Sequence, residues 1–459
     1  MTNKNLLTNS SKVSQIHQTY YAPVAVVSGS TNVITSTYCF LADIDPWSDE
    51  NNPVTPMDTP SYLKSIYKNM FVAKKIVTSD ISPVIQRNDW SANTVYDYYL
   101  DTINMGAKDA NGFNIHNYYV NNSFNQIFKC LWNNNGGEST EEPYFQPGSY
   151  GTNNIYKGTD GYKWKYIYTI DTGYRIKFMD SLWMPVPIGA VVSDTSNPLI
   201  HTAGCGHIEV INVTNTGSSY EVTQPISIVF TDGDGTGASG TAVVSEYGNY
   251  IEDVIVTNTG TNYTKANVHV YSAYGSGATV IAPISPIGGH GSDPIEELGC
   301  CNIMYTCTFN GSEGGDIPTD IEYKQVGLII NPVDTKSTPA TGTDAIYKTS
   351  TDFIVAQGAS KYSNGEIIYQ LDSTGNKIFT ATVLSFNTSS SIINLINITG
   401  TPVLNIPVFG TLSGCVRTLL SIDVPYFVQH SGYITYIENR TGIQRSDDGI
   451  EQFKFVLSY

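Results

Sequence analysis

Charged side chains are scarce in this chain of 459 residues, where they form 14% of the sequence against about 25% in typical soluble domains. Basic residues are the scarcer sign, with 24 Lys and Arg against 41 Asp and Glu, and no stretch concentrates them. Proteins that bind nucleic acid need clustered Lys and Arg to neutralise phosphates. The sequence therefore argues against direct binding of DNA or RNA. The formal net charge of −17 favours solubility, with complementarity to a basic partner as the alternative.

Cysteines and long apolar runs are also limited. The seven cysteines are odd in number and irregularly spaced, so neither a disulfide framework nor a zinc motif fits them. We expect reduced and mostly buried thiols, which are typical of a protein assembled in a cytoplasm. No stretch approaches the roughly 18 consecutive apolar residues of a membrane helix, and the first residues contain no long apolar signal region. The sequence therefore predicts a soluble protein without membrane insertion.

Aromatic residues and glycine are abundant, with aromatics at 12%, 32 Tyr and 40 Gly. Aromatic and apolar residues alternate with polar ones over residues 164–170 and 453–459, and this period of two is typical of half-buried strands. Lys163 and Lys165 fall on the polar side of the first of these segments. Clusters of Gly, Asn, Asp and Pro separate many such segments. The sequence as a whole predicts a mainly β protein with antiparallel strands and few helices.

One amphipathic helix is predicted over residues 60–71. Apolar residues recur there at the three- and four-residue spacing of a helix face. Pro60 suits the first helical position, and Asp58 or Thr59 is suited to cap the helix. We expect this helix to pack against the core.

The middle of the chain contains an internal repeat. The sequence VTNTG occurs at residues 213–217 and again at residues 256–260, which is 43 residues later. The match extends outward, because Tyr220 corresponds to Tyr263, and a Gly-Ala pair at residues 237–238 recurs at residues 277–278. Two copies of one small β unit can bury apolar surface together that neither copy buries alone. We therefore predict that residues 204–285 form a compact inserted module.

A second inserted module is predicted after a linker-like stretch that is rich in Thr, Pro and Gly. Short β segments with regular spacing and Gly-marked turns follow over residues 346–420, and they favour a small barrel or sandwich. Residues 421–459 return to the aromatic strand pattern of the first part of the chain. The predicted architecture is a discontinuous antiparallel β-sandwich core, formed by residues 1–203, 286–345 and 421–459, with two small β modules inserted through loops.

Motifs for catalysis or metal binding are weak. His201, Cys205 and His207 lie close in sequence, but no fourth ligand is evident. The segment TDGDGTG at residues 231–237 has two carboxylates but lacks the remaining ligands of an EF-hand, so a turn explains it better. His290 lies among glycines, which favours a tight connection over a catalytic role. We predict no catalytic residue, no cofactor and no metal site.

Three pairs of sequence blocks resemble one family, the T-even-like phage baseplate wedge protein that forms a dimer within each wedge. The last block, HSGYITYIENR and its continuation to the final residue, is the most specific of them. The blocks are FLADIDPWSDE (residues 40–50) with VIQRNDW (84–90), FKCLWNNNG (128–136) with GTDGYKWKYIYTI (158–170), and QVGLIINP (325–332) with residues 430–459.

The resemblance implies a structural subunit without catalysis, which dimerises and bridges neighbouring wedge proteins in the tail baseplate of a virion assembled in the host cytoplasm. We expect the tryptophans at the matching positions to be buried anchors and the arginines to fork onto carboxylates such as Asp89 or Glu438. The matching positions, interpreted as fold and contact residues, are Trp47, Arg87, Trp90, Asp160, Gly161, Trp164, His430, Ser431, Gly432, Glu438, Asn439 and Arg440.

Two other function classes are alternatives. A receptor- or carbohydrate-binding tail spike or fibre component would use exposed aromatics in the inserted modules, and the candidates are Tyr247, Tyr250, Tyr271 and Tyr274. A polysaccharide hydrolase would need two carboxylates about 5–10 Å apart in a cleft, which distant residues can supply. The sequence favours the structural subunit over both.

Overall fold

The computed structural model describes residues 9–21, 36–42, 45–110, 112–146, 154–188, 206–335 and 345–459. Strands account for 46% of the structure and helices for 9%, and the sheets are antiparallel. The mainly β fold with few helices is therefore confirmed. The chain forms two compact units, each from separated segments: unit 1 comprises Met1–Gln18, Ser82–Met304 and Val456–Tyr459, and unit 2 comprises Thr19–Ile81 and Tyr305–Phe455. The boundaries drawn from the sequence for the core and the two modules stay predictions.

The elements are numbered in chain order. The helices are α1 (Asn9–Tyr21), α2 (Pro60–Asn69), α3 (Thr172–Phe178) and α4 (Pro294–Glu297). The strands up to the second repeat copy are β1 (Thr37–Ala42), β2 (Met70–Ile76), β3 (Ile81–Gln86), β4 (Tyr119–Asn121), β5 (Gln126–Asn133), β6 (Ile155–Lys157), β7 (Tyr162–Thr169), β8 (Trp183–Pro185), β9 (Asn212–Ser218), β10 (Ile226–Thr231), β11 (Thr236–Val244), β12 (Ile251–Thr261), β13 (Asn267–Ser272) and β14 (Ser276–Ile281). The later strands are β15 (Asn302–Asn310), β16 (Glu322–Ile330), β17 (Ile346–Lys348), β18 (Thr351–Val355), β19 (Ile367–Leu371), β20 (Lys377–Asn387), β21 (Ile392–Gly400), β22 (Pro407–Gly410), β23 (Val416–Asp423), β24 (Tyr433–Gln444) and β25 (Ile450–Ser458).

Unit 1 contains a four-stranded sheet in the order β4-β5-β7-β6. On one face, Trp164 of β7 and Phe128 of β5 belong to a buried aromatic cluster. The other face carries Lys163 and Lys165, and Lys165 lies directly opposite Lys129 of β5. All three lysines are buried, so the prediction that the segment containing β7 is half-buried is wrong. Like charges directly across a strand pair destabilise it, so these lysines need nearby carboxylates.

The repeat module also belongs to unit 1. Strands β9–β11 come from the first copy and β12–β14 from the second. β9 pairs with β14, β11 pairs with β12, and the two middle strands β10 and β13 pair with each other. The opening strand of each copy is therefore hydrogen-bonded to the closing strand of the other. Residues from both copies form one hydrophobic core, among them Ile208, Ile251, Tyr220 and Tyr263.

Matched glycines make this reciprocal pairing possible. Gly217 and Gly260 occupy equivalent places in the two copies, with φ of 63° and 62°. A Cβ on Gly217 would lie 2.5 Å from the backbone N of Ala278 in β14, and one on Gly260 would lie 2.6 Å from the backbone N of Ala238 in β11. Both the left-handed conformation and the close approach require glycine here.

Unit 2 contains a five-stranded sheet in the order β17-β2-β1-β16-β24. The predicted helix packs beside it, and the Thr59 hydroxyl accepts a hydrogen bond from the N–H of Tyr62 as its N-cap. The helix ends at Asn69, earlier than predicted. Met70 and Phe71 belong instead to β2, where both are buried. Hydrophobic spacing alone placed them on the helix face, but the following residues pair with β1, and that pairing fixes an extended backbone.

The second part of unit 2 is a closed six-stranded barrel in the order β18-β21-β20-β19-β22-β23. Its interior is apolar and includes Phe353, Phe379 and Leu395. Arg417 is 5% exposed, and its guanidinium donates hydrogen bonds to backbone carbonyl groups of residues 356–360. β17 lies within the second predicted module but pairs with β2 in the five-stranded sheet.

Candidate functional site

The motif residues at the end of the chain converge with the first motif block in unit 2. The indole N–H of Trp47 donates to the backbone carbonyl of Arg440 over 2.7 Å, although the two residues are 393 positions apart. Asn439 lies beside them in sequence. Its side-chain oxygen accepts from Gln325 over 2.8 Å, and its side-chain nitrogen donates to the Tyr62 hydroxyl over 2.7 Å. Residues from three motif segments therefore form one hydrogen-bonded cluster.

Charged residues of the same motif complete this cluster. The Arg440 guanidinium donates to a Glu438 carboxylate oxygen over 2.7 Å. It also lies over the ring of Phe453, with its carbon 5.3 Å from the ring centroid. An arginine that is paired and stacked in this way is held in one orientation. About a third of each charged side chain is exposed, so the pair is accessible at the surface.

The HSG segment forms the turn that leads into β24. His430 and Gly432 have φ of 67° and 74°. A Cβ on Gly432 would lie 2.6 Å from the carbonyl oxygen of Ile330, so glycine is required there. The Ser431 hydroxyl accepts from the N–H of Val333 over 2.9 Å. The segment thus fixes a tight turn against the end of β16.

His430 and the Gly432 carbonyl both contact helix α2. The Tyr67 hydroxyl donates to the Gly432 carbonyl oxygen over 2.9 Å, and the His430 and Tyr67 rings lie 5.2 Å apart. Partial burial lowers the pKa of His430, and the ammonium groups of Lys68 and Lys64 lower it further. The imidazole is therefore held against the tyrosine ring in its neutral form at neutral pH.

A second group of motif residues forms a turn in unit 1. One Asp160 carboxylate oxygen accepts from the Ser139 hydroxyl over 3.2 Å and from the N–H of Thr140 over 2.9 Å. The Trp90 indole N–H donates to the same Ser139 hydroxyl over 3.1 Å. Gly161 has φ of 81°, and a Cβ there would lie 2.8 Å from the side chain of Asn134. These contacts tie the turn before β7 to the segment after β5.

The remaining motif residues serve local structure. Arg87 donates to both carboxylate oxygens of Asp89, at 3.1 and 3.0 Å, and to the carbonyl of Asp180 over 2.9 Å. Trp164 is fully buried. Trp47 and Trp90 are only partly buried, so the expectation that all three tryptophans are buried anchors is wrong for these two. Their indole N–H groups point to hydrogen-bond acceptors, and a fully apolar environment would leave those groups unpaired.

The strongest electrostatic feature is a network that sequence reasoning missed. Three buried lysines on the sheet of unit 1 are matched by three buried carboxylates. Lys129 pairs with Glu297 at 3.0 Å, and their side chains are 0% and 1% exposed. The other two pairs, each with at most 10% side-chain exposure, are Lys163 with Asp253 at 2.9 Å and Lys165 with Glu209 at 2.7 Å.

His290 joins the network at its most enclosed point. Its Nδ1 lies 3.2 Å from the Lys129 ammonium, and its backbone N–H donates to Glu209 over 2.7 Å. The Tyr99 ring contacts both groups, because the Lys129 ammonium lies 3.9 Å from its centroid and the imidazole packs edge-on at 4.8 Å. The glycines around His290 allow this close approach, and one of them, Gly291, donates its N–H to Glu297. The sequence-based view of His290 as part of a tight connection agrees with this geometry.

The pKa shifts in the network follow from burial and from charge pairing. Burial lowers the pKa of Lys129, and the Glu297 carboxylate opposes that shift. Burial raises the pKa of Glu297, but the Lys129 ammonium and His290 outweigh it and bring that pKa to about 2. Burial and the Lys129 ammonium both lower the pKa of His290. At neutral pH the imidazole is therefore neutral, and its Nδ1 lies 3.2 Å from both the Lys129 ammonium and a Glu297 carboxylate oxygen.

This network joins the repeat module, helix α4 and the segment before it to the four-stranded sheet. Glu209 and Asp253 come from the two repeat copies, while their lysine partners lie on β7. A buried lysine with a lowered pKa is a nucleophile in some enzymes. Here the Lys129 side chain is enclosed and paired with the Glu297 carboxylate, which suits a structural ion pair better than a nucleophile. Each carboxylate lies 44–168 residues from its lysine in the chain. The lysines that alternate with aromatic residues were therefore the only sign of this network in the sequence.

The weaker motifs behave as turns or lie outside the described residues. Asp234 accepts hydrogen bonds from Thr264, which lower the Asp234 pKa to about 2 and fix the turn of residues 231–237. The His207 imidazole contacts the carbonyl of Gly260, and His201 and Cys205 lie outside the described residues. Within the described part of the chain, no group of three or more His, Cys, Asp or Glu side chains is placed to hold a metal ion. The six described cysteines are buried and free.

Comparison with known proteins adds no identification. No protein-family model matches the chain, and none of the curated proteins matches it significantly. None of the helices that the structure describes combines the length and the apolar character needed to cross a membrane. The resemblance to the wedge family therefore stays a prediction from the sequence blocks.

Proposed function

We propose that this protein is a structural subunit of a contractile-phage tail baseplate wedge, which forms a homodimer and bridges neighbouring wedge proteins. The observation that carries the proposal is the convergence of separate motif blocks. Trp47 from the first block contacts Arg440 from the last, and Asn439 contacts Gln325 from the block between them. Direct contact between separate motif blocks supports a shared structural role for their residues.

The nature of these contacts supports a structural role. The motif residues fix turns, bind backbone carbonyls and orient an arginine, and these are roles of residues that stabilise a fold. The ionic network of unit 1 adds rigidity, because fully paired buried charges tolerate little displacement. A wedge subunit must hold its neighbours while the baseplate rearranges, and closely packed interiors transmit displacement instead of absorbing it.

The outer surface of the barrel supports assembly with other proteins. Tyr369 and Phe409 face each other across β19 and β22, with ring centroids 5.3 Å apart, and Val416 lies opposite Phe409 on β23. Ile367, Val416 and Leu420 are 48–50% exposed. Apolar surface of this kind commonly marks a contact with another protein. We name these five residues the barrel patch.

Light scattering of the purified chain over a concentration series tests the proposal. We expect a dimer of about twice the 50.1 kDa chain mass. A stable trimer would contradict the wedge assignment and favour a receptor-binding spike. A monomer at all concentrations would require dimerisation to depend on partner subunits, which co-purification with the neighbouring tail proteins of the same phage would check.

Particle assembly tests the contact role of the barrel patch with a matched control. Val416→Glu places a charge in the barrel patch, while Val95→Glu places one at an equally exposed valine of unit 1, since both side chains are 50% exposed. We expect the first variant to be depleted at least severalfold from purified virions and the second to be incorporated normally. Equal incorporation of both variants would remove the barrel patch as support for assembly.

A further inference from the structure

The repeat module of unit 1 has an open groove of about 830 Å³ that the structural role does not use. It runs along β13 and β14 and continues past the segment of residues 281–284 to a loop at residues 100–102. β13 and β14 are consecutive in the chain but belong to separate two-stranded sheets, so each has its hydrogen-bonded partner on another strand. The groove therefore lies where two of the module's three two-stranded sheets are not joined.

The floor and the walls of the groove differ in chemistry. Val268 and Val280 are buried and supply an apolar floor. The outward side of β13 carries Asn267, His269 and Tyr271, all three exposed. Tyr271 is 56% exposed, and its ring centroid lies 6.1 Å from that of His269. Because side chains alternate along a strand, Tyr271 lies on the opposite face of β13 from Val268, and its exposed ring is suited to stack against a flat apolar surface of a ligand.

The polar groups around the groove limit the charge of that ligand. Asp101 and Asp232 bring two carboxylates and Lys265 one ammonium, and all three residues are exposed. Thr102 and Thr279 add hydroxyl groups. The local excess of negative charge disfavours phosphates and other anions. Carboxylates accept strong hydrogen bonds from hydroxyl donors, so a neutral ligand rich in hydroxyl groups suits this rim best.

The first repeat copy provides an internal comparison. The inward residues Ile228 and Phe230 of β10 correspond to Val268 and Val270 of β13, and all four pack into the shared core. With this alignment, the outward positions of β10 are Ser227, Val229 and Thr231, whereas β13 has Asn267, His269 and Tyr271. The architecture of the repeat therefore does not require an aromatic pair at these places. The groove residues distinguish the second copy from the first.

We propose that this groove binds a neutral oligosaccharide. The apolar C–H face of a sugar ring stacks on Tyr271, and neighbouring sugar hydroxyls donate to the carboxylates of Asp101 and Asp232. This combination of a ring platform with a few directed polar groups is general for small-ligand sites. The inference does not depend on the wedge assignment, because it concerns a surface that subunit dimerisation need not involve.

Titration of the full-length protein with four soluble hexasaccharides, of glucose, mannose, galactose and N-acetylglucosamine, tests the proposal. We expect saturable binding of at least one of them, detected by calorimetry and by saturation-transfer NMR. Tyr271→Ala should weaken that binding by about tenfold, as loss of one stacking contact implies. Tyr247→Ala is the matched control, because Tyr247 is 96% exposed in the same module and does not line the groove.

Two results would overturn the proposal. One is the absence of saturable binding with all four hexasaccharides. The other is equal binding by the wild-type protein and Tyr271→Ala. A further variant, Asp232→Asn, separates stacking from hydroxyl recognition, since we expect it to weaken binding while the circular dichroism spectrum stays unchanged. The dimer mass measured by light scattering should be the same for all three variants, so failure here and failure of the wedge assignment are distinguishable.

Discussion

Replacing Lys129 with methionine tests whether the buried network holds unit 1 together. Methionine keeps most of the length and apolar volume of the lysine stem but removes the ammonium. The change leaves the Glu297 carboxylate, 1% exposed, without its cation. It also removes the ammonium beside His290 Nδ1 and the cation over the Tyr99 ring. The Glu297 carboxylate must then be protonated or hydrated, and either outcome destabilises the fold.

The expected loss of stability can be compared with the loss at a more exposed ion pair of the same network. Breaking a fully buried ion pair by removing one partner costs about 3–5 kcal/mol. Lys157 binds Asp253 at 2.8 Å, but its side chain is 49% exposed, and Asp253 keeps Lys163 as a second partner. We therefore expect Lys157→Met to cost less than about 1 kcal/mol. The two Lys→Met variants differ in burial and not in chemistry.

Hydrogen exchange measured by mass spectrometry is the suitable assay, because a chain of two compact units need not unfold in one step. Peptides from β5 and β7 should exchange much faster in Lys129→Met, while barrel peptides keep their wild-type rates. The double variant Lys129→Met/Glu297→Leu should recover most of the lost protection, because it no longer buries an unpaired charge. Equal protection in Lys129→Met and Lys157→Met would refute the reasoning.

Two further predictions follow from the same unit. Because the pKa of Glu297 is lowered to about 2 and that of His290 is also lowered, the unfolded state binds more protons in acid. The free energy of unfolding should therefore fall as pH decreases below about 6.5. In a melting-temperature series against pH, His290→Gln should reduce the part of the fall nearest neutrality, and His430, whose pKa is also lowered, should account for what remains. Gly217→Ala and Gly260→Ala should each lower the free energy of unfolding in urea by about 2–4 kcal/mol, because overpacking and backbone strain act together. Gly112 has φ of 83° but open space around it, so Gly112→Ala should cost only about 1 kcal/mol. Equal losses at all three positions would contradict the reciprocal packing.

The sequence predicted the class of fold because strand periodicity is a local property. Alternating aromatics marked β7 and β25, and the repeated VTNTG segment marked equivalent strands in two copies. The identity of the partner strand is not local. Nothing within one repeat copy indicates that its first strand pairs with the last strand of the other copy. The end of α2 was missed for a related reason, since pairing with β1 overrides the helical spacing of Met70 and Phe71.

The candidate site was predictable only in part. The resemblance singled out residues that cluster in space, and the glycines among them mark turns with positive φ, as at Gly161 and Gly432. The ionic network was not predictable, because an alternating lysine in a strand normally faces water. Lys163 and Lys165 are buried only because the repeat module covers their face and supplies Asp253 and Glu209. Burial of that face is decided by the tertiary structure.

The reciprocal strand pairing also has a consequence for the origin of the repeat module. A chain with a single copy would leave its opening and closing strands without partners, so it would have to associate with a second molecule to complete its core. Duplication within one gene places both halves on one polypeptide and turns a bimolecular association into an intramolecular one at high effective concentration. The module thus has the form of an ancestral exchanged-strand dimer that became a single chain. Its two halves now differ at the outward positions of their middle strands, where the second carries His269 and Tyr271.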